Sequence, residues 1–221
     1  MLVQGGEGGG HTGQVATSLL LPQVVDAVDI PVIAAGGFFD GRGLVAALAY
    51  GAEGIAMGTR FLLTSDSTVP AAVKQAYLDA PITGTVVTDV IDGVPQRVLR
   101  TPLVEQLTAR RAWSRLPSSV RSAAALKQET GSSWTDIVKE GLRMRKSREL
   151  SVGQLLMAAN TPMMIRTGMV EGRIDIGSLA SGQVAGLIDD LPSCAELIDR
   201  IVAQAGQVLT GLTAPAEVAG V

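Results

Sequence analysis

The chain holds a single histidine, His11, and sets it in a run of glycines, MLVQGGEGGGHTG over residues 1–13. An imidazole that titrates near neutral pH can take or give a proton, as abstraction of an acidic C–H proton or protonation of a carbanion requires. A glycine loop surrounds the ring with little side-chain bulk, so acid/base work stands beside a purely structural role as a reading of His11. Two further glycine stretches follow, AAGG at 34–37 and MGTR at 57–60. Gly36 and Gly37 let the main chain approach a phosphate with no Cβ in the way, and Gly58 offers the same access, while the Thr59 hydroxyl adds a donor. Taken singly, each glycine reads as a turn or a helix cap; the two loops together point to phosphate binding.

These loops need elements to hold them on one face. MLVQ reads as the end of a strand feeding the first loop, and TSLLLPQVVDAV has helical spacing interrupted by Pro22. The apolar run from Ile30 stops at Gly36 and Gly37, and RGLVAALAYG follows as a helix closed by Gly51. A third strand in AEGIAMGTRFLLT ends at Gly58 and Thr59, with a helix through TVPAAVKQAYLDA. Three βα units in succession imply a parallel sheet or barrel whose strand C-termini share one face. After about Ala80, GTVVTDVIDGVPQRVL reads as a strand or hairpin excursion. A polar helical stretch then runs from Arg110 to Glu149, and its basic run at 143–148 reads as a solvated face or an anion patch. The last amphipathic helix is expected to start near Ser193.

Composition narrows the function. In 221 residues, 47% are hydrophobic and only three Phe, two Trp and two Tyr occur, an aliphatic profile suited to buried parallel strands under helices. The net charge of −3 offers no general attraction to nucleic acid or anionic membrane, which makes a small-molecule partner the expectation. No apolar run approaches the roughly 18 residues of a membrane span, and no secretory signal is seen, so a cytoplasmic location is expected. One cysteine, Cys194, excludes an intrachain disulfide and a cysteine-only metal site, and no metal is expected.

Gly8, Gly10 and Gly13 also satisfy G-x-G-x-x-G, the dinucleotide pattern. That pattern calls for an acidic ribose ligand at the end of the next strand, which here reads VIAAGG with Asp29 lying before it. The nicotinamide reading is therefore the weakest.

VQGGEGGGHTG, IPVIAAGGFFDGRGLVAALAYGAEGIAMGTRFLLT and SGQVAGLI resemble the nitronate monooxygenase family, which includes the flavin-dependent enoyl-acyl-carrier-protein reductases. The likeness is strong over residues 2–80 and looser over 80–205. It implies an FMN enzyme on a βα barrel with a smaller, mainly helical second region. In that reading His11 is the catalytic histidine, Gln4 and Gly9 lie along the flavin, and Gly36, Gly37, Met57, Gly58 and Thr59 surround its ribityl phosphate. Residues 1–80 would be the C-terminal βα units of a TIM barrel, 81–180 a strand excursion and helical region, and 181–221 a helix returning to the barrel.

The activity implied is oxidation of alkyl nitronates or nitroalkanes with oxygen. Two departures qualify it. Gly8 stands where the family has alanine, and MAANTPMMIRTGMVEGRIDIGSLASGQ resembles an actinobacterial subgroup associated with coenzyme A thioesters of steroid-ring breakdown. A flavin-dependent reductase or dehydrogenase of an enoyl or steroid-derived CoA thioester is the alternative, with Arg143 and Arg145 as candidate contacts to CoA phosphates. A non-catalytic phosphate-ligand-binding fragment is the second alternative. Since a barrel needs eight βα units and three are legible, the chain is expected to be the C-terminal part of a longer enzyme, completed by an N-terminal segment or by oligomerisation.

Overall fold

The computed structural model describes residues 1–109 and 161–213. The polar stretch from 110 to 149, its basic run at 143–148 and the tail after 213 lie outside the described residues. The chain opens with β1 (Leu2–Gln4), the two-residue β2 (Gly10–His11), α1 (Thr17–Ala27), β3 (Ile33–Ala35), α2 (Gly41–Ala49), β4 (Gly54–Ala56) and α3 (Gly58–Leu62). β1, β3 and β4 form a parallel sheet in that order, with Val3 opposite Ala34 and Ala34 opposite Ile55. The fold is α/β, as composition implied, and strand order in space follows strand order in sequence.

Local chemistry explains the boundaries. Helix α1 starts at a residue with no side-chain cap of its own at Ala16. Glu7 supplies the cap from ten residues upstream: its carboxylate accepts the Thr17 N–H at 3.0 Å and the Thr17 hydroxyl at 2.8 Å. Pro22 does not interrupt this helix, contrary to the sequence expectation. A proline inside a helix forfeits one backbone hydrogen bond, and buried Thr17 and Leu21 hold the turn together around it. Asp40 caps α2 by accepting from the N–H groups of Arg42 and Gly43. The same helix ends in a Schellman turn: the Gly51 N–H reaches the Leu48 carbonyl, the Ala52 N–H reaches the Ala47 carbonyl, and Gly51 takes φ +89°. The core here is Val3, Leu21, Val32, Ala34, Phe38, Ala47 and Ala52, packed between the sheet and helices α1 and α2.

Beyond the sheet come α4 (Ala71–Leu78), β5 (Thr85–Thr88), β6 (Gln96–Leu99) and α5 (Pro102–Ala109). β5 and β6 form the antiparallel hairpin read from the sequence, and β2 adds to its edge, with His11 opposite Gln96. The glycine stretch around His11 is thus partly strand, where the sequence suggested loop alone. Helix α6 (Thr161–Met169), a 3₁₀ turn at Gln183–Leu187 and α7 (Cys194–Thr213) complete the described chain. Helix α7 begins one residue after Ser193 in a capping box: the Ser193 Oγ accepts the Glu196 N–H, and Glu196 accepts the Ser193 N–H. It packs on α2 so closely that a Cβ on Gly41 would stand 2.5 Å from the Ala205 nitrogen. No helix among the described residues is long and apolar enough to cross a membrane.

A second core, built on Leu63, Val73, Tyr77, Leu99, Leu179 and Ile188, ties α4 to the hairpin and to the segment after α6. Tyr77 is fully buried, and burial pushes its phenol far above the ordinary value. Its hydroxyl stays protonated and donates to the Ala180 carbonyl at 2.5 Å. That bond fixes the strand-like stretch leading to Ser181 and Gly182, which forms one wall of the site.

Candidate functional site

The C-terminal ends of β1, β3 and β4 open onto a cavity of 530 Å³. Gln4 and the glycine loop after β1, Ala35 to Phe38 after β3, and Ala56 to Thr59 after β4 line it on the sheet side. Leu62, Met169, Ala180, Gly182 and Val184 close it from the other core. All seven residues expected to contact a cofactor, Gln4, Gly9, Gly36, Gly37, Met57, Gly58 and Thr59, lie on this one cavity.

The glycines are placed by necessity. Gly36 and Gly37 take φ +87° and +84°, a region that side chains disfavour. A Cβ on Gly36 would also press to 3.0 Å on the Gly5 carbonyl oxygen. At Gly9 a Cβ would stand 2.5 Å from the Gly182 nitrogen, so the loop after β1 touches the far wall backbone to backbone. Gly58 is the opposite case, with nothing within 4 Å of where its Cβ would be.

Thr59 carries more than the sequence reading assigned. Its Oγ1 accepts the Gly182 N–H at 2.8 Å, and the residue is buried, so it ties the two walls together and keeps one hydroxyl hydrogen to donate. Glu7 acts similarly, since its carbonyl accepts the Gln183 N–H at 2.9 Å while its carboxylate caps α1. Arg97 on β6 donates to the Gly6 carbonyl at 2.9 Å and to the Thr85 hydroxyl at 3.0 Å. Burial lowers the Arg97 guanidinium from its ordinary value, and the Glu7 carboxylate opposes that shift.

His11 does not line the cavity. It stands two residues past Gly9, with its carbonyl held by Gln4 Nε2 at 2.9 Å. Its ring Nε2 lies 2.6 Å from Oδ2 of Asp92, whose side chain is 8% exposed against 53% for the histidine. Asp92 sits in the turn before β6, and its Oδ1 accepts the Val94 N–H at 3.0 Å. Gln96, opposite His11 in the ladder, keeps a buried Nε2 donor with no partner among the described residues. The sequence reading missed Asp92, Gln96, Arg97 and Gly182. The turn IDGVP was visible as a turn, yet nothing in a single sequence paired its aspartate with a histidine 81 residues away.

A histidine hydrogen-bonded to a buried carboxylate can take or give a proton, and this one stands two residues past Gly9 on the rim of a cavity floored by glycines. The family model of nitronate monooxygenase matches residues 1–204. The chain belongs to the nitronate monooxygenase family. It is 60% identical over 208 residues to the (3aS,4S,5R,7aS)-5-hydroxy-7a-methyl-1-oxo-octahydro-1H-indene-4-carboxyl-CoA dehydrogenase of Mycobacterium tuberculosis, a match covering 93% of this chain and 59% of that protein. Among solved structures it resembles FabK from Thermotoga maritima, with a TM-score of 0.68 and 32% identity over 96% of this chain and 55% of that one. It also resembles nitroalkane oxidase from Streptomyces ansochromogenes, with a TM-score of 0.66 and 25% identity over 96% of this chain and 53% of that one. The chain therefore spans a little over half the length of the proteins it matches.

Proposed function

We propose that this chain carries the cofactor-cradling and acid/base-bearing part of an FMN-dependent oxidoreductase that acts on a coenzyme A thioester. The observation that carries the reading is the convergence of Gln4, Gly9, Gly36, Gly37, Met57, Gly58 and Thr59 on one cavity beside the only histidine of the chain. The three parallel strands, adjacent in space in their chain order, are the arrangement a βα barrel would require of consecutive strands.

The residues present suit a flavin mononucleotide. Open space over Gly58, together with the bare main chain of Gly36 and Gly37, leaves room for phosphate oxygens. Apolar Leu2, Ala35, Ala56 and Val184 on the same cavity suit a ring system. Gly36, Gly37, Met57, Gly58 and Thr59 would surround the ribityl phosphate, and Gln4 and Gly9 would lie along the flavin. When bound, FMN supplies a two-electron acceptor. His11 would take the proton from carbon next to the thioester carbonyl, and Gln4 would hold the histidine backbone in register with the cavity.

The 60% identity over 208 residues to a carboxyl-CoA dehydrogenase, against 39% over 142 residues to a probable nitronate monooxygenase, favours the thioester substrate. Oxidation of a nitronate with oxygen is the second reading, favoured by the family match, and the same histidine would serve it by deprotonating the neutral nitroalkane. The test is an FMN titration followed by anaerobic mixing with a CoA thioester or a nitronate while flavin absorbance is recorded. Bleaching by the thioester, lost in His11→Ala, is the expected result. Bleaching by the nitronate alone would move the substrate to the second reading. No flavin binding, either by this chain or by a form extended upstream to eight βα units, would leave phosphate-ligand binding as the better account.

A further inference from the structure

We propose that Asp92 is a positioning residue that holds His11 in the Nε2–H tautomer, so that the proton exchanged with substrate is carried at Nδ1. The proposal rests on the reading of His11 as acid/base and adds the atom at which it acts.

The geometry is constrained on both sides. Oδ2 of Asp92 meets Nε2 at 2.6 Å, and Oδ1 accepts the Val94 N–H at 3.0 Å, so the carboxylate cannot rotate without losing one bond. Its turn is shaped by Gly93 at φ +85°, and the Thr12 N–H reaches the Pro95 carbonyl across it. The histidine backbone is held by its ladder pairing with Gln96 and by Gln4. An ionised carboxylate has only acceptors, so a neutral imidazole facing it must carry its proton on Nε2. Among the described residues Asp92 is the only hydrogen-bond partner of the ring, which leaves the Nδ1 lone pair open.

Burial argues the same way. Asp92 is 6% exposed, and among the described residues no lysine or arginine forms an ion pair with it. A buried carboxylate is costly unless its oxygens receive hydrogen bonds, and the Nε2–H of His11 is the side-chain donor placed to meet Oδ2. In the proton-transfer step the C–H bond next to the carbonyl breaks and its electron pair stays on carbon, delocalised toward the carbonyl oxygen. The proton binds the Nδ1 lone pair. The imidazolium so formed keeps its Nε2–H on Asp92, whose negative charge offsets the new positive one.

Because His11 is the only histidine, ¹⁵N-labelled protein gives one imidazole spin system, and long-range ¹H–¹⁵N correlation reads its tautomer directly once the ring is neutral. Wild type is expected to show protonated Nε2 and bare Nδ1. In Asp92→Asn the amide oxygen must stay on the Val94 N–H, so the NH₂ group turns to His11 and donates; the tautomer is expected to invert to Nδ1–H. Asp92→Ala, which offers neither group, is expected to give averaged nitrogen shifts. The backbone amide spectrum of each variant checks that the fold is kept. A bare Nε2 in wild type, or the same tautomer in wild type and Asp92→Asn, overturns the proposal. Substrate-driven flavin reduction should also slow by about 100-fold or more in Asp92→Asn. Inversion of the tautomer with no dependence of that reduction on His11 would leave the pair standing and overturn its catalytic use. Dependence on His11 without inversion would overturn the tautomer assignment alone.

Discussion

Gly58→Ala separates cofactor binding from folding at a single methyl group. Gly58 does not take a positive φ, and its Cβ would meet no protein atom within 4 Å, so alanine fits without strain. Removing the extra freedom of glycine from the unfolded chain should raise stability by up to about 1 kcal/mol. The same methyl would enter the cavity beside Thr59, where a phosphate oxygen is proposed to sit. Loss of one charge-assisted hydrogen bond there costs about 1.5–3 kcal/mol, which weakens FMN binding about 10- to 150-fold. Gly9→Ala is the counterpart. Its Cβ would stand 2.5 Å from the Gly182 nitrogen and 2.6 Å from the Ser181 carbonyl carbon, both backbone atoms. That backbone is pinned by the Gly182 bond to Thr59 and the Gln183 bond to Glu7. Overpacking plus two weakened hydrogen bonds should destabilise the fold by about 2–6 kcal/mol. Urea denaturation of both variants beside calorimetric FMN titration measures both effects. A Gly58→Ala protein that binds FMN as tightly as wild type would refute the phosphate placement, and a Gly9→Ala protein of unchanged stability would refute the close approach of the two walls.

Two further outcomes follow from the structure. Asp190 feels burial, which raises its carboxyl, but hydrogen bonds from Arg200 and from buried Arg60 outweigh it and hold the group below the ordinary aspartate value. A lowered folded value means the stabilisation is present at neutral pH and is lost as pH falls from about 4 through that value; urea midpoints measured from pH 7 to 3 should therefore drop less on acidification in Asp190→Asn than in wild type, and parallel curves would contradict this. In Gly8→Ala the new Cβ would stand 2.4–2.5 Å from the Gln4 side chain, which can swing away. The cost should appear less in stability than in the released Gln4–His11 bond, seen as a shift of the single imidazole resonance; an unmoved resonance would argue against that tether.

Backbone-level features were legible because their causes are local. The AAGG and MGTR glycines end strands, the Gly51 turn ends α2, and Ser193 with Glu196 starts α7, each through contacts within a few residues. Successive βα units dictate a common face for their loops, so Gly36, Gly37, Gly58 and Thr59 could be named from order and spacing, while Gln4, Gly9 and Met57 were named only through the family resemblance. Pairings across the chain were not legible. His11 with Asp92, Gly9 against Gly182, Thr59 with Gly182 and Arg60 with Asp190 join segments 81 to 173 residues apart or cross from one core to the other.

The sequence by itself determined which residues could carry chemistry: one imidazole, three glycine loops and a hydroxyl, placed after three strands in succession. Tertiary structure alone decided that the hairpin β5–β6 would bring a buried carboxylate to that imidazole. The reason is physical. A glycine's freedom and a cap's hydrogen bond are set by neighbours in the chain, whereas the environment of a titratable group is set by whatever burial and strand register deliver to it from afar.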